Sequence, residues 1–316
     1  MCAAPTAVVE HPSVGSFLSS RVEAVERTYP NRDKFAHQLM SDFVCKMVKF
    51  KLIYVVIDGM ADRPVPELGG KTPLENASTP NLDLLARRGK TGLMYTVRKG
   101  IAPESDVAVI SILGYDPFKF HTGRGPLEAY GAGLTVREGE LSLRCNYATL
   151  GENRRIRDRR VGRDLTTEEA AVLTEAVNLN VRLKSHPAFF EFKSTIRHRG
   201  VLVIRADIPL SGAISNTDPA YARSEGIGVA RTDGRMMLED AMPLEETESA
   251  RNSAELVNEF VHESHLVLDR HEINKKRIAQ GRLSANVILT RDAGDRLPRF
   301  PRISDLYGVR FACLAD

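Results

Sequence analysis

LIYVVIDGMADRP, residues 52–64, is an apolar run rich in β-branched residues that stops abruptly at Asp58 and Gly59. Leu52 to Ile57 is continuously apolar with no alternation, the pattern of a buried strand in a parallel sheet. The signals downstream alternate in the manner of an α/β fold. A Gly/Pro loop from Arg63 to Lys71 leads into TPNLDLLARRG, where Thr79 is placed to cap a helix, Pro80 sits in its first turn and Gly89 follows its end. RKGIAPES then opens SDVAVISILGYDP, with Ser105 at a helix start, and FHTGRGPLEAYGAGL (120–134) is glycine-rich and reads as irregular.

Outward from this core the texture changes. Residues 137–247 carry short alternating stretches, an arginine cluster and a helical piece at 166–178, which suggests a separate α+β unit. Residues 249–280 have one long amphipathic helical pattern. SANVILTRDAG (284–294) reads as a buried strand returning to the first sheet. The expected architecture is therefore an α/β core over 51–136 and 248–316, interrupted by an inserted domain at 137–247. Residues 1–50 form an extension: over 1–46 no strand pattern is visible, at most a short helix interrupted at Pro30 is suggested, and Met47 reads as a natural start. Poor order is expected there.

The 316 residues carry 44 basic and 41 acidic side chains, a net charge of +3, which is too mild to demand nucleic acid as a partner. No apolar run approaches the length of a membrane span. Cys2, Cys45, Cys145 and Cys313 are scattered without CxxC spacing, and Glu10 and His11 interrupt any signal-peptide core. A reduced, cytoplasmic protein is expected.

Three places could carry chemistry. Asp58, at the carboxyl end of the first expected strand, is either a turn-capping carboxylate or a ligand for a hard cation. Ser105 is either a helix N-cap or a nucleophile helped by helix-start amides. RRIRDRRVGR (154–163) holds six arginines, a solvated or RNA-attracting loop on charge alone, or a clamp for an anion.

DGMADRP (58–64), GKTPLENASTPNLDLLARRG (70–89), APESDVAVISILGYDP (102–117) and TGRGPLEAYGAG (122–133), with RCNYAT (144–149) and DRRVGR (158–163), together resemble one family. It is the archaeal-type, 2,3-bisphosphoglycerate-independent phosphoglycerate mutases of the alkaline phosphatase superfamily. The resemblance runs over about 51–316. It implies a doubly wound alkaline-phosphatase-like α/β core with an inserted α+β substrate domain. It further implies an isomerase of glycolysis and gluconeogenesis that interconverts 3- and 2-phosphoglycerate through a phosphoserine intermediate. Two divalent metals would serve it (Mn²⁺ or Mg²⁺, with Zn²⁺ or Co²⁺ as alternatives), and 2,3-bisphosphoglycerate would not. By the same match Asp58 and Ser105 are metal ligands, Ser105 is the catalytic nucleophile, and Asp158, Arg160, Arg163 and His198 are substrate-binding residues. The implied partner is small-molecule phosphoglycerate, with neither nucleic acid nor membrane involved.

Two departures stand out. In LSGAISNTDPAYAR (210–223) this chain has Ala220 where the family tends to carry a histidine. The family brings most metal ligands from a C-terminal portion with His-rich and Asp-His motifs, and none of the eight histidines here lies in such a motif. The chain as given is thus expected to be a poor mutase with an exposed sheet edge near residues 286–290. A related phosphotransferase or phosphatase of the homoserine-kinase-like kind, or a non-catalytic phosphoglycerate-binding remnant, is the alternative.

Overall fold

The computed structural model describes residues 5–8, 52–57, 59–231 and 233–313. They divide into two units, Met1–Tyr115 with Phe300–Asp316, and Asp116–Arg299.

In the first unit a short strand, β1 (Pro5–Val8), pairs antiparallel with β2 (Lys90–Leu93). No strand was expected so early. The remainder of the expected extension lies outside the described residues. Leu52–Ile57 corrects the reading more sharply. It adopts no regular strand and is exposed, Leu52 by 83% and Ile53 by 84%. A β-run acquires burial and ladder hydrogen bonds only from neighbouring strands, and no described residue pairs with this one. Asp58 lies outside the described residues.

Helix signals fare better. α1 (Pro73–Asn76) starts with a capping box between Thr72 and Glu75, and α2 (Pro80–Arg88) starts at Pro80 and stops at Gly89. The Thr79 hydroxyl turns from the backbone and donates to Asp83 Oδ1 at 3.0 Å. α3 (Ser105–Ile112) buries Val107 and Ile110, and Ser111 Oγ donates to Thr96 O at 2.6 Å.

The second unit begins with α4 (Pro117–Phe120) and α5 (Arg124–Gly131), the latter in the stretch expected to be irregular. Its centre is β3 (Leu141–Leu150), whose alternation sorts two faces. β4 (Ile156–Asp158) pairs with the end of β3. After α6 (Thr167–Asn180) come β5 (Ala188–Ser194) and β6 (Arg199–Ala206), and the strand order is β4-β3-β6-β5. β7 (Tyr221–Ser224) and β8 (Ile227–Ala230) form a separate hairpin. α7 (Glu248–Asp269) and α8 (Glu272–Ala279) precede β9 (Val287–Gly294), which pairs with β3. All these pairs are antiparallel. The expected single helix over 249–280 is broken because His271 is extended and its Nδ1 caps α8 by accepting from Ile273 N at 3.2 Å.

Leu141, Leu143, Cys145 and Tyr147 enter the main core with residues of α6 and α7. Tyr147 Oη lies 2.9 Å from Thr174 Oγ1, and the Phe192 and Phe260 rings are 5.8 Å apart. β9 does not return to another sheet, as its apolar run suggested. It lies in register with β3, Thr290 opposite Cys145, because a short connection from the preceding helix brings it back onto that helix's own sheet. Its outer edge is covered: Thr217 N donates to Thr290 O at 2.9 Å, and Asn216 Oδ1 accepts from Asp292 N at 3.0 Å. The exposed edge expected near 286–290 is absent among the described residues, where β9 is buried throughout.

The glycines of TGRGP let backbone lie directly on backbone. A Cβ on Gly125 would stand 2.2 Å from Ser142 O, and one on Gly123 2.3 Å from Ala293 O. Gly125→Ala is expected to destabilise the protein by about 1–3 kcal/mol through overpacking. Gly131→Ala, with open space around it, should be neutral or stabilising by up to about 1 kcal/mol. Chemical denaturation of the two variants measures the contrast; equal effects would mean that the close approach is dispensable.

Candidate substrate site

On the face of β3 away from the main core stand Ser142, Arg144 and Asn146, each two residues from the next. Val201 and Val203 share this face with Ala129 and Leu134 in a small apolar cluster. Arg144 is only 7% exposed. Its Nε lies 3.3 Å from Glu128 Oε1, and the same oxygen accepts from Arg124 Nε at 2.5 Å. Arg291 of β9 sits opposite Arg144, with its guanidinium carbon 3.8 Å from the Tyr221 ring centre. Arg159 approaches the same ring to 5.0 Å and grips the fully buried Asp218 with two hydrogen bonds of 2.6 and 2.5 Å. Burial, and then the nearby Arg291 charge, lower the Arg144 guanidinium to about 10. It remains charged at neutral pH.

The arginine-rich segment comes to the same place through unusual backbone. Asp158 Oδ1 accepts from Arg160 N at 2.7 Å. Val161, Gly162 and Arg163 then adopt positive φ of 53°, 60° and 61°. Val161 is fully buried, and a β-branched residue in this region is strained by about 1–3 kcal/mol. The segment is tethered just beyond: Asp164 is paired with the buried Arg277 and, at 3.0 Å, with Arg282. Arg277 also reaches Glu169 at 2.7 Å, the residue that closes the capping box of α6.

His198, whose carbonyl accepts from Tyr147 N at 2.7 Å, reports the result. Burial, followed by the positive charges of Arg199, Arg160, Arg163 and Arg144, pushes its imidazole down to about 4. It is neutral at physiological pH, and its Nδ1 has no hydrogen-bond partner among the described residues. Several guanidinium groups crowding one neutral imidazole form a place where an anion is strongly preferred to a cation.

Asp158, Arg160, Arg163 and His198 are thus brought together in the second unit. Arg144, Asn146, Arg199 and Arg291 were not singled out as site residues. The alternation in LSLRCNYATL carried the signal for two of them, since a half-apolar strand with Arg and Asn on its other face is asking for a polar partner. Ser105 belongs to the first unit. It is exposed at the first position of the eight-residue α3, with Glu104 at the N-cap position. Ala220, in the departing loop, donates its N–H to Asp218 Oδ1 at 3.2 Å. Among the described residues no group of three or more His, Cys, Asp or Glu could hold a metal ion.

Residues 86–274 match the family model described as 2,3-bisphosphoglycerate-independent phosphoglycerate mutase. The chain is similar to proteins so named from Aeropyrum pernix, with 44% identity over 270 residues, 84% of this chain and 62% of that one. A second relative, from Methanopyrus kandleri, is 44% identical over 268 residues, 84% and 60% of the two chains. A solved cofactor-independent phosphoglycerate mutase from Thermoplasma acidophilum gives a TM-score of 0.46 at 32% identity, over 78% of this chain and 59% of that one. The chain spans about three fifths of the length of the curated relatives it matches. With the family model covering more than half of its residues and identities above forty per cent, the chain belongs to the 2,3-bisphosphoglycerate-independent phosphoglycerate mutase family.

Proposed function

We propose that the reaction this chain serves, poorly in the chain as given, is the interconversion of 3- and 2-phosphoglycerate, with Ser105 as the phosphoryl acceptor and the cationic face of Asp116–Arg299 binding the glycerate. The observation that carries the reading is the group of Arg144, Arg160, Arg163 and Arg199 around a neutral His198. Guanidinium forks match carboxylate and phosphate oxygens, and an arriving anion relieves their mutual repulsion. Asp158 fixes the backbone from which Arg160 projects. In the reaction, Ser105 Oγ bonds to phosphorus as the bond from phosphorus to the substrate's hydroxyl oxygen breaks, and the serine proton ends on that oxygen. The reverse transfer to the other hydroxyl of the retained glycerate restores the serine. Independence of 2,3-bisphosphoglycerate is the family's defining property. The two divalent ions implied by resemblance find no ligand set among the described residues.

Ser105→Ala should abolish phosphoprotein formation from 3-phosphoglycerate with the melting transition unchanged; near-normal turnover would remove Ser105 from the mechanism. Arg160→Ala and Arg163→Ala should each weaken phosphoglycerate binding by about 1.5–3 kcal/mol in calorimetry, the scale of a lost charged hydrogen bond. Unaltered affinity together with lost salt-sensitive RNA affinity would favour a nucleic-acid surface instead. The His198 imidazole should titrate near pH 4 by NMR in the free protein. Because its folded midpoint is below the ordinary 6.5, stability falls as pH drops through that window and is complete above it. Bound phosphoglycerate should raise the midpoint; a free-protein midpoint near 6.5 would contradict the cationic crowding.

A further inference from the structure

We propose that Asn146 is a specificity-determining residue whose side-chain carbonyl accepts a hydrogen bond from the free hydroxyl of the bound phosphoglycerate, an inference that rests on the function proposed above. Asn146 is 4% exposed, and its Oδ1 has no hydrogen-bond partner among the described residues. A buried amide oxygen without a donor costs about 1–3 kcal/mol, and such a group in a native fold calls for a water or a ligand. Its position says which kind of ligand. It shares the face of β3 with Arg144, lies opposite Arg199 of β6, and precedes Tyr147, whose N–H binds the His198 carbonyl. It therefore borders the guanidinium cluster.

The chemistry narrows the choice. The surrounding arginines are donors only and match the carboxylate and phosphate oxygens. Those oxygens, once ionised, are acceptors only and offer nothing to an amide carbonyl. At pH 8, well above the second phosphate ionisation near about 6, phosphoglycerate has a single donor left, its free hydroxyl. An acceptor set among donors is the complement of a hydroxy acid carrying two anionic groups. A site that has placed an acceptor for a hydroxyl discriminates against the analogue lacking it, because the buried acceptor is then left unpaired.

The test is calorimetric titration of the full chain at pH 8 with 3-phosphoglycerate and with 3-phosphonooxypropanoate, which keeps the carboxylate and phosphate but has no hydroxyl. The wild-type chain should prefer the hydroxylated ligand by about tenfold, the worth of one buried hydrogen bond. Asn146→Ala should bind 3-phosphoglycerate about tenfold more weakly and bind both ligands within about twofold of each other. Equal wild-type affinities would overturn the assignment while leaving the proposed function standing, and that comparison needs no variant. Equal weakening of both ligands by Asn146→Ala would also overturn it, since the amide would then be holding an anion. If the wild-type chain binds neither ligand, the proposed function and this inference fall together.

Discussion

Guanidinium crowding on one flank of a five-stranded sheet is the constraint to which the larger unit is fitted. Arg144 and Arg291 are both nearly buried and stand opposite each other across β3 and β9. Buried cations are tolerated only with partners, and each has a different one. Arg144 has Glu128, itself bound to Arg124; Arg291 has the face of Tyr221 and, at 3.6 Å, Asp292. Arg124 and Glu128 reach the sheet because glycines at 123 and 125 allow their segment to lie on the strands without a side chain between. The sequence TGRGPLE is thus one device: two glycines for approach, one arginine and one glutamate for charge.

The second support is the tether behind Arg163. Asp164 and Glu169 are each bound by Arg277 and Arg282, so the strained turn through Val161 is fastened immediately after it ends. Strain of this kind persists where surrounding contacts overdetermine it. The aromatic core on the opposite face of the sheet, where Tyr147, Phe192 and Phe260 meet edge-on or tilted, supplies the stability that such an arrangement consumes.

What could be read in the sequence follows a physical pattern. Local signals were legible: Pro80 and Gly89 bracket α2, and the helix expected at 166–178 is α6 with a Thr166–Glu169 capping box. Signals that depend on distant partners were not. Leu52–Ile57 has strand composition, yet composition does not supply a neighbour. The SANVILTRDAG run was recognisable as buried strand, but an apolar run does not say whose sheet it joins. His271 ends a helix by capping the next one, which the amphipathic pattern alone does not reveal. The arginines of 158–163 stood out by density, Asp58 and Ser105 by their places at an expected strand end and helix start, and His198 entered by resemblance. Asn146 and Arg144 were spread at strand spacing through an otherwise apolar segment, where only the face they share marks them.

That shared face has a consequence for folding. In a strand with period two, a slip of one residue exchanges the faces completely. For β3 the slip would drive Arg144 and Asn146 among Phe192 and Phe260 and set Cys145 and Tyr147 beneath the guanidinium groups. Few mispairings could be more costly. The β3–β9 pairing contains an irregularity between Ser142 and Arg144, a fixed point that itself helps to pin the register. Charge adds to that specification: the guanidinium groups that crowd His198 also penalise a slipped register of β3.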